Sequence, residues 1–284
     1  MQFALYALPV AFLVLLALEQ AFPLRKAKRP LLPRLVVNLC VGILALFVAA
    51  ILVKPVASVV LEQVSRQSFG LVPLLPLPEA AQWVIGFLLL DVSFYYWHRA
   101  NHAWRFLWRF HNAHHIDPDL DVSTAYRFHF LEIGFSAGFR VVQIGLIGGE
   151  PWVFIAYELV FQLNTLFQHS NVRLPIAVER WLSLVLVTPR MHGIHHSQIR
   201  KENNSNWSSV FSWWDRLHGS LCLNIPQAQI EIGIPAYVLP EDNRVINVLV
   251  MPFRMQREYW RGPSGTPAAR SARPVASCAS RLAE

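Results

Sequence analysis

The chain has 284 residues, 54% hydrophobic and only 15% charged, with a mean hydropathy of +0.34, a composition that excludes an ordinary soluble globular protein. A net charge of +7 and a pI of about 9.7 would fit a nucleic-acid binder, but basic residues beside long apolar runs read as the cytoplasmic face of a membrane protein, so no nucleic-acid partner is expected. Cys40, Cys222 and Cys278 lie far apart with no CxxC, which argues against a disulfide framework or a thiolate zinc site.

The first apolar run, Phe3 to Phe22, is long enough at ~1.5 Å per residue to cross a hydrocarbon core of ~30 Å. It lacks the basic leader and small-residue cleavage site of a signal peptide, so it reads as a span. Arg25, Lys26, Lys28, Arg29 and Arg34 follow with no acidic neighbour, which places this connection in the cytoplasm. A second run covers Leu35 to Val53. Lys54 to Glu79, with its proline-rich stretch from Val72 to Pro78, reads as an outer or interfacial connection. The third run, Ala80 to Trp97, ends in Tyr95, Tyr96 and Trp97, aromatics that gather where a helix leaves the bilayer, and Arg99, Arg105 and Arg109 follow.

From Ile133 to Phe167 the chain is apolar again, broken at Gly148-Gly149-Glu150-Pro151, which predicts a helical hairpin leaving and returning to the cytoplasmic side. Its first arm is short and carries Arg140, so a re-entrant pair and two full spans both stay open. Trp181 to Val187 is expected to be an interfacial or buried helix, and Gly262 to Glu284 a disordered tail. Four regions result: N-terminal membrane helices over 1–79, a catalytic domain over 80–220, a cytoplasmic segment over 221–261, and the tail over 262–284. The 25 basic residues comprise 21 arginines and 4 lysines, a bias of GC-rich bacterial genomes that favours a bacterial inner membrane.

All 11 histidines fall between His98 and His218. His98 and His102 form an HxxxH, which a helix places on one face. His111, His114 and His115 form an HxxHH, whose adjacent pair diverges by ~100° on a helix, so one box can serve two ions. His192, His195 and His196 repeat the pattern. A single HxxxH is commonly a pair of interfacial polar residues; three boxes on the predicted cytoplasmic side point to metal. Imidazole suits Zn, Fe, Cu and Ni rather than Mg or Ca, and eight nitrogen donors exceed the needs of one ion.

HxxxH, HxxHH and HxxHH in this order, with a helical hairpin between the second and third, resemble the fatty acid hydroxylase/sterol desaturase superfamily of integral-membrane di-iron oxygenases over roughly Ala80 to Ser220. Arg127-Phe128-His129-Phe130-Leu131-Glu132 is similar to the family's R-x-H-P-x-E with Phe130 in place of Pro. Trp214-Asp215-Arg216-Leu217-His218-Gly219-Ser220 is similar to W-D-R-L-F-G-T, with His218 and Ser220 as departures, and Asn206-Trp207-Ser208 stands where the family often has Asn-Tyr/Phe-Gly. The resemblance implies an all-α polytopic membrane protein of about four to five transmembrane or re-entrant helices, with a cytoplasmic helical cap holding a histidine-rich dimetal site. Implied ligands are His98, His102, His111, His114, His115, His192, His195 and His196, with His169 as an additional one. His129 stands between a ligand and a residue paired to Glu132, and His218 reads as an ordinary histidine beside tryptophans.

The implied reaction is O2-dependent hydroxylation of a lipid C–H bond on two iron ions; desaturation, ether-lipid cleavage and, from another class, metal transport are the rivals. Asp91, Asp117, Asp119, Asp121, Glu132 and Asp215 are candidates for holding the far nitrogens of the ligands. The chain carries no dinucleotide, haem-attachment or iron–sulfur motif, so a separate ferredoxin- or cytochrome-type donor is expected, docking around Arg99, Arg105, Arg109 and Arg200; simple positive-inside topology explains the same arginines.

Overall fold

The computed structural model describes residues 2–269, with side chains from residue 6 onward. The described residues are all-helical, and extended pairing is limited to isolated bridges such as Pro23–Val172 and Leu186–Phe211. The α-helices are α1 (Gln2–Ala21), α2 (Leu31–Val48), α3 (Lys54–Gln67), α4 (Glu79–Ala103), α5 (Arg105–His115), α6 (Phe130–Ile147), α7 (Pro151–His169), α8 (Ile176–Leu182), α9 (Pro189–His195), α10 (Arg200–Asn203), α11 (Trp213–Leu217) and α12 (Val245–Val250). Residues 270–284, including Cys278 and most of the expected tail, lie outside the described residues; before them, Arg261 bridges back to Pro267.

Two segments among the described residues are long and apolar enough to cross a bilayer, Leu31–Leu74 and α6. The first differs from expectation, because Lys54–Gln67 is helix rather than connection. Pro55 lacks an N–H and its ring crowds the carbonyl four residues back; the widened π turn at Ala49–Val53 absorbs that clash, and α3 continues α2 to pack along α6. The chain then turns at Ser68 and Gly70, and Val72–Leu74 form a short 3-10 turn. A second difference concerns the extent of the helix expected over Trp181–Val187: it is α8, which begins at Ile176 and ends at Leu182.

The expected hairpin is α6 and α7. Gly148 and Gly149 turn it with φ of 69° and 101°, and a Cβ on Gly148 would sit 2.2 Å from the Phe69 carbonyl oxygen, so glycine is required where the tip meets the α3 exit. Arg140 is buried and paired across the hairpin with Glu158, donates to Gln143 Oε1 at 2.6 Å, and lies 4.9 Å from the Phe94 ring centroid. An unpaired charge at this depth would be costly, and the second arm supplies the partner.

Arg34, the last residue of the first basic cluster, lies in α2 and is held inside the fold. Arg34 is buried and makes a bidentate pair with Asp117 at 2.9 Å for both bonds, while its Nη1 donates to Asp121 at 2.5 Å. Burial would raise the Asp117 carboxyl, but Arg34 and Arg127 outweigh it and hold it down at about 2. Asn38 donates to Asp117 and Ser123, and Arg127 donates to Asn38 and to the Ala113 carbonyl. This network fastens the loop after α5 to the base of α2. Gly42 of α2 lets that loop approach: a Cβ there would lie 2.9 Å from Tyr126.

Candidate metal centre

Helices α4, α5, α7 and α9 bring their ends together, and nine histidines meet between them. The ring nitrogens of His98, His102, His111, His115 and His195 form one group and those of His114, His169, His192 and His196 a second, each group's ligand atoms lying within 4.8 Å of one another. Helical spacing explains the sorting. His98 and His102 share a face of α4, as do His111 and His115 on α5; His114 points a third of a turn away and joins the second group. On α9 the same divergence sends His195 to the first group and His192 and His196 to the second. The groups adjoin, with His115 stacked on His196 at 4.3 Å and His111 5.5 Å from His114.

Close packing of α9 depends on Gly193. A Cβ there would fall 2.2 Å from Arg25 Nη1, and this buried arginine donates to Gln227 Oε1 at 2.6 Å and to the Pro189 carbonyl at 3.3 Å. The loop between α1 and α2 thus supports the third box from beneath.

The first group is held from behind. The Nδ1 atoms of His98 and His195 donate to the carbonyls of Trp207 at 2.9 Å and Ser205 at 2.8 Å, His111 Nδ1 meets Glu132 Oε1 at 2.7 Å, and His115 Nδ1 lies 3.2 Å from Asn203. Of the six acidic candidates, Glu132 alone touches a histidine of either group. Asp215 acts one step out, accepting from the Trp207 and Ser208 N–H groups at 2.9 Å, while Asp91 accepts from Trp214 and Phe211, Asp119 from the Lys28 and Arg29 backbone, and Asp117 and Asp121 belong to the Arg34 network. In the second group only His169 is anchored, its Nδ1 donating to the Thr165 carbonyl at 2.7 Å.

Burial, reinforced by the neighbouring imidazoles, pulls His98, His102, His114, His115, His192 and His196 well below the usual histidine range; burial brings His169 down to about 4 and His195 to about 3. These rings are therefore neutral at pH 7 and offer lone pairs. The His169 Nε2 cannot carry a proton while Nδ1 donates to Thr165, yet it lies 2.9 Å from His192 Nε2 and 3.1 Å from His114 Nε2, and His192 Nε2 lies 3.1 Å from His196 Nε2. Both nitrogens of His102, Nε2 of His195, and Nδ1 of His114, His192 and His196 are buried without a hydrogen-bond partner. The converging Nε2 atoms of the second group, and the orphaned His102 nitrogens and His195 Nε2 of the first, fit a divalent transition metal in each group.

His129 lies outside both groups. Its Nδ1 accepts from the Leu131 N–H at the start of α6 and its Nε2 donates to the Leu249 carbonyl at 3.0 Å, so both nitrogens are used, and Glu132 serves His111 instead. His218 is also outside: Nδ1 donates to the Trp214 carbonyl, Nε2 faces Tyr96 Oη at 2.7 Å, and the ring stacks on Tyr95. Sequence reading missed the carbonyls of Thr165, Ser205 and Trp207, which no side chain advertises, and Phe128, whose ring stacks on His114 at 4.3 Å and 10°.

Residues 83–220 match the fatty acid hydroxylase family, a span that contains all nine clustered histidines. Curated relatives include ornithine lipid hydroxylase OlsE of Rhizobium tropici, 32% identical over 161 residues (57% of this chain and 48% of the relative). Alkylglycerol monooxygenase of Homo sapiens is 32% identical over 149 residues (51% and 32%), and cholesterol 25-hydroxylase of Homo sapiens is 27% identical over 143 residues (47% and 48%). The chain spans about half the length, or less, of these relatives. No solved structure matches it.

Proposed function

We propose that the chain, whose residues 83–220 match the fatty acid hydroxylase family, is a membrane-bound oxidoreductase that hydroxylates a C–H bond of a lipid. The observation that carries this reading is the pair of adjoining histidine groups inside the family's own segment. His98, His102, His111, His115 and His195 would hold one iron ion, and His114, His169, His192 and His196 the other. Two bound irons supply O2 activation, with the balance RH + O2 + 2e⁻ + 2H⁺ → ROH + H2O, the electrons coming from a separate ferredoxin- or cytochrome-type protein.

The chain's own residues prepare this chemistry. Glu132 and the Trp207, Ser205 and Thr165 carbonyls fix which nitrogen of each ring faces inward. Trp108 packs 4.8 Å from His102 and 5.3 Å from His115, with Trp260 stacked beyond it, so that side of the first group is closed to water. His98, partly buried and without Trp108 against it, marks the side left for substrate approach. Arg99, exposed and 5.3 Å from the Trp207 ring, would contribute to donor docking on what we take as the cytoplasmic face of a bacterial inner membrane. Oxidation of an ether lipid is the second reading, favoured by the similarity to alkylglycerol monooxygenases of four animals.

The test compares lipid extracts of a strain with and without the gene by mass spectrometry, together with metal analysis of the purified protein. Two irons per chain and a lipid gaining one oxygen support the proposal. Zinc-loaded protein that consumes no O2 and leaves the lipids unchanged would overturn it.

A further inference from the structure

After the catalytic segment the chain returns to the bundle. Val248 and Met251, from α12 and the 3-10 turn Met251–Phe253 that follows it, pack into one core with Val41 and Val37 of α2 and with Trp108 of α5. Val37 and Val41 belong to the first segment long and apolar enough to span, so α12 packs directly against that helix. The His129–Leu249 bond ties it to the start of α6.

The outer side of this element is apolar. Ile246 and Phe253 are each 63% exposed and Met255 is 95% exposed. The patch continues onto α5: Phe110 lies 6.0 Å from Phe253 and 5.4 Å from Phe106, which is 58% exposed and itself 5.4 Å from Phe135 of α6. Trp104 adds another exposed aromatic. Exposed Arg105, Arg244 and Arg254 border the patch, and none of them has an acidic partner among the described residues. Large exposed apolar groups rimmed by unpaired cations, continuous with a membrane-spanning helix, are the pattern of an element lying in the interface of an anionic bilayer.

We propose that α12 and the turn after it, with the first turn of α5, form a bilayer-contacting surface. Phe106, Ile246, Phe253 and Met255 enter the acyl region and Arg105, Arg244 and Arg254 engage anionic phospholipid headgroups. The segment expected to be wholly cytoplasmic is then partly interfacial, and Arg105 faces lipid instead of an electron donor. The proposal needs only the bilayer placement of α2 and α6 and is independent of the reaction.

The test uses full-length protein in vesicles, either zwitterionic or containing anionic phosphatidylglycerol, labelled with a polarity-sensitive fluorophore. Native Cys40, exposed on α2, reports the bilayer placement itself; Met255→Cys and, as an aqueous control on α10, Lys201→Cys are made with Cys40→Ala, and the background of that parent is subtracted. At 255, spin-labelled lipid is expected to quench severalfold more than at 201, and a neutral aqueous nickel chelate severalfold less. Aqueous quenching at 255 equal to that at 201 overturns the proposal while Cys40 still reports lipid; absence of lipid quenching at Cys40 overturns the bilayer reading instead. Protection at 255 from both quenchers shows a second copy covering the patch and also overturns it. In anionic vesicles Arg105→Ala/Arg244→Ala/Arg254→Ala is expected to reduce lipid quenching at 255 to its zwitterionic level; no difference between the vesicles in the parent overturns the headgroup assignment.

Discussion

The two histidine groups differ in what stands behind them. In the five-histidine group, four rings have their second nitrogen engaged, by two carbonyls, one amide and the Glu132 carboxylate; in the four-histidine group only His169 does. His114 and His196 are instead positioned by ring stacking, on Phe128 and His115. A ring held by hydrogen bonds keeps its tautomer and aim without metal, whereas a ring held by stacking keeps its plane but not its proton. On the proposed reading, the first group would be built before a metal arrives and the second completed by it. Chelator treatment should empty the four-histidine group first.

The strongest way to break this comparison is to delete one ring from each group. On the proposed reading, His192→Ala and His195→Ala should each lower bound iron from two per chain toward one and sharply reduce lipid hydroxylation. Mössbauer or X-ray absorption spectra would show which ion is lost. Identical residual spectra for the two variants would mean that the groups are not separate sites.

Acid tests the feature the groups share. His169 and His195, one from each group, remain neutral in the fold down to about 4 and about 3, whereas in the unfolded chain they take up a proton near 6.5. The unfolded state thus binds more protons below 6.5, and stability falls as pH drops through that value toward 4 and 3, by about 1.4 kcal/mol per pH unit for each group. Thermal unfolding of the metal-free protein in detergent should move to lower temperature between pH 7 and pH 5. A constant midpoint over that range would contradict the burial of these rings.

Glu132→Gln addresses the first group alone. Such outer partners of ligating histidines typically contribute ~10–100-fold in metal affinity or activity. The amide keeps the shape but removes the negative charge facing His111, so one iron should be weakened by about that factor and the other left unchanged, with Glu132→Asp intermediate. Equal weakening of both ions would show that Glu132 supports the whole cage and not one group.

The clustering of the nine histidines was legible because residue identity and helical spacing, the two things a metal site would impose, are written in the sequence. The i,i+4 pairs on α4, α5 and α9 and the divergence of His114 from His115 follow from spacing alone. The partners behind them were not, because a carbonyl such as Trp207's is available on any residue and only the fold selects it. Helicity across Lys54–Gln67 was hidden for a similar reason: prolines signal a break, and the π turn that tolerates Pro55 has no signature of its own. Arg25 and Arg34 were read as topology signals, as basic loops beside apolar runs are, yet their burial depends on Gly193 and Asp117, more than 80 residues away. The hairpin was legible as an element from Gly148-Gly149-Glu150-Pro151, while the pairing that settles Arg140 with Glu158 required knowing that the arms lie face to face.

Phe128 tests the stacking half of the comparison at its most sensitive point. The ring lies nearly parallel to His114, whose Nδ1 has no partner, so little else fixes the plane of that imidazole. Aromatic pairs contribute ~0.5–1.5 kcal/mol beyond their buried area, so Phe128→Leu should weaken the second ion by about 2- to 10-fold. Competition with a chelator of known affinity measures this directly. The first ion should not change, because His111 is 6.2 Å from Phe128 and is aimed by Glu132. If Phe128→Leu weakened the first ion as much as the second, stacking would not be what distinguishes the groups, and the orphaned Nδ1 of His114 would need another explanation.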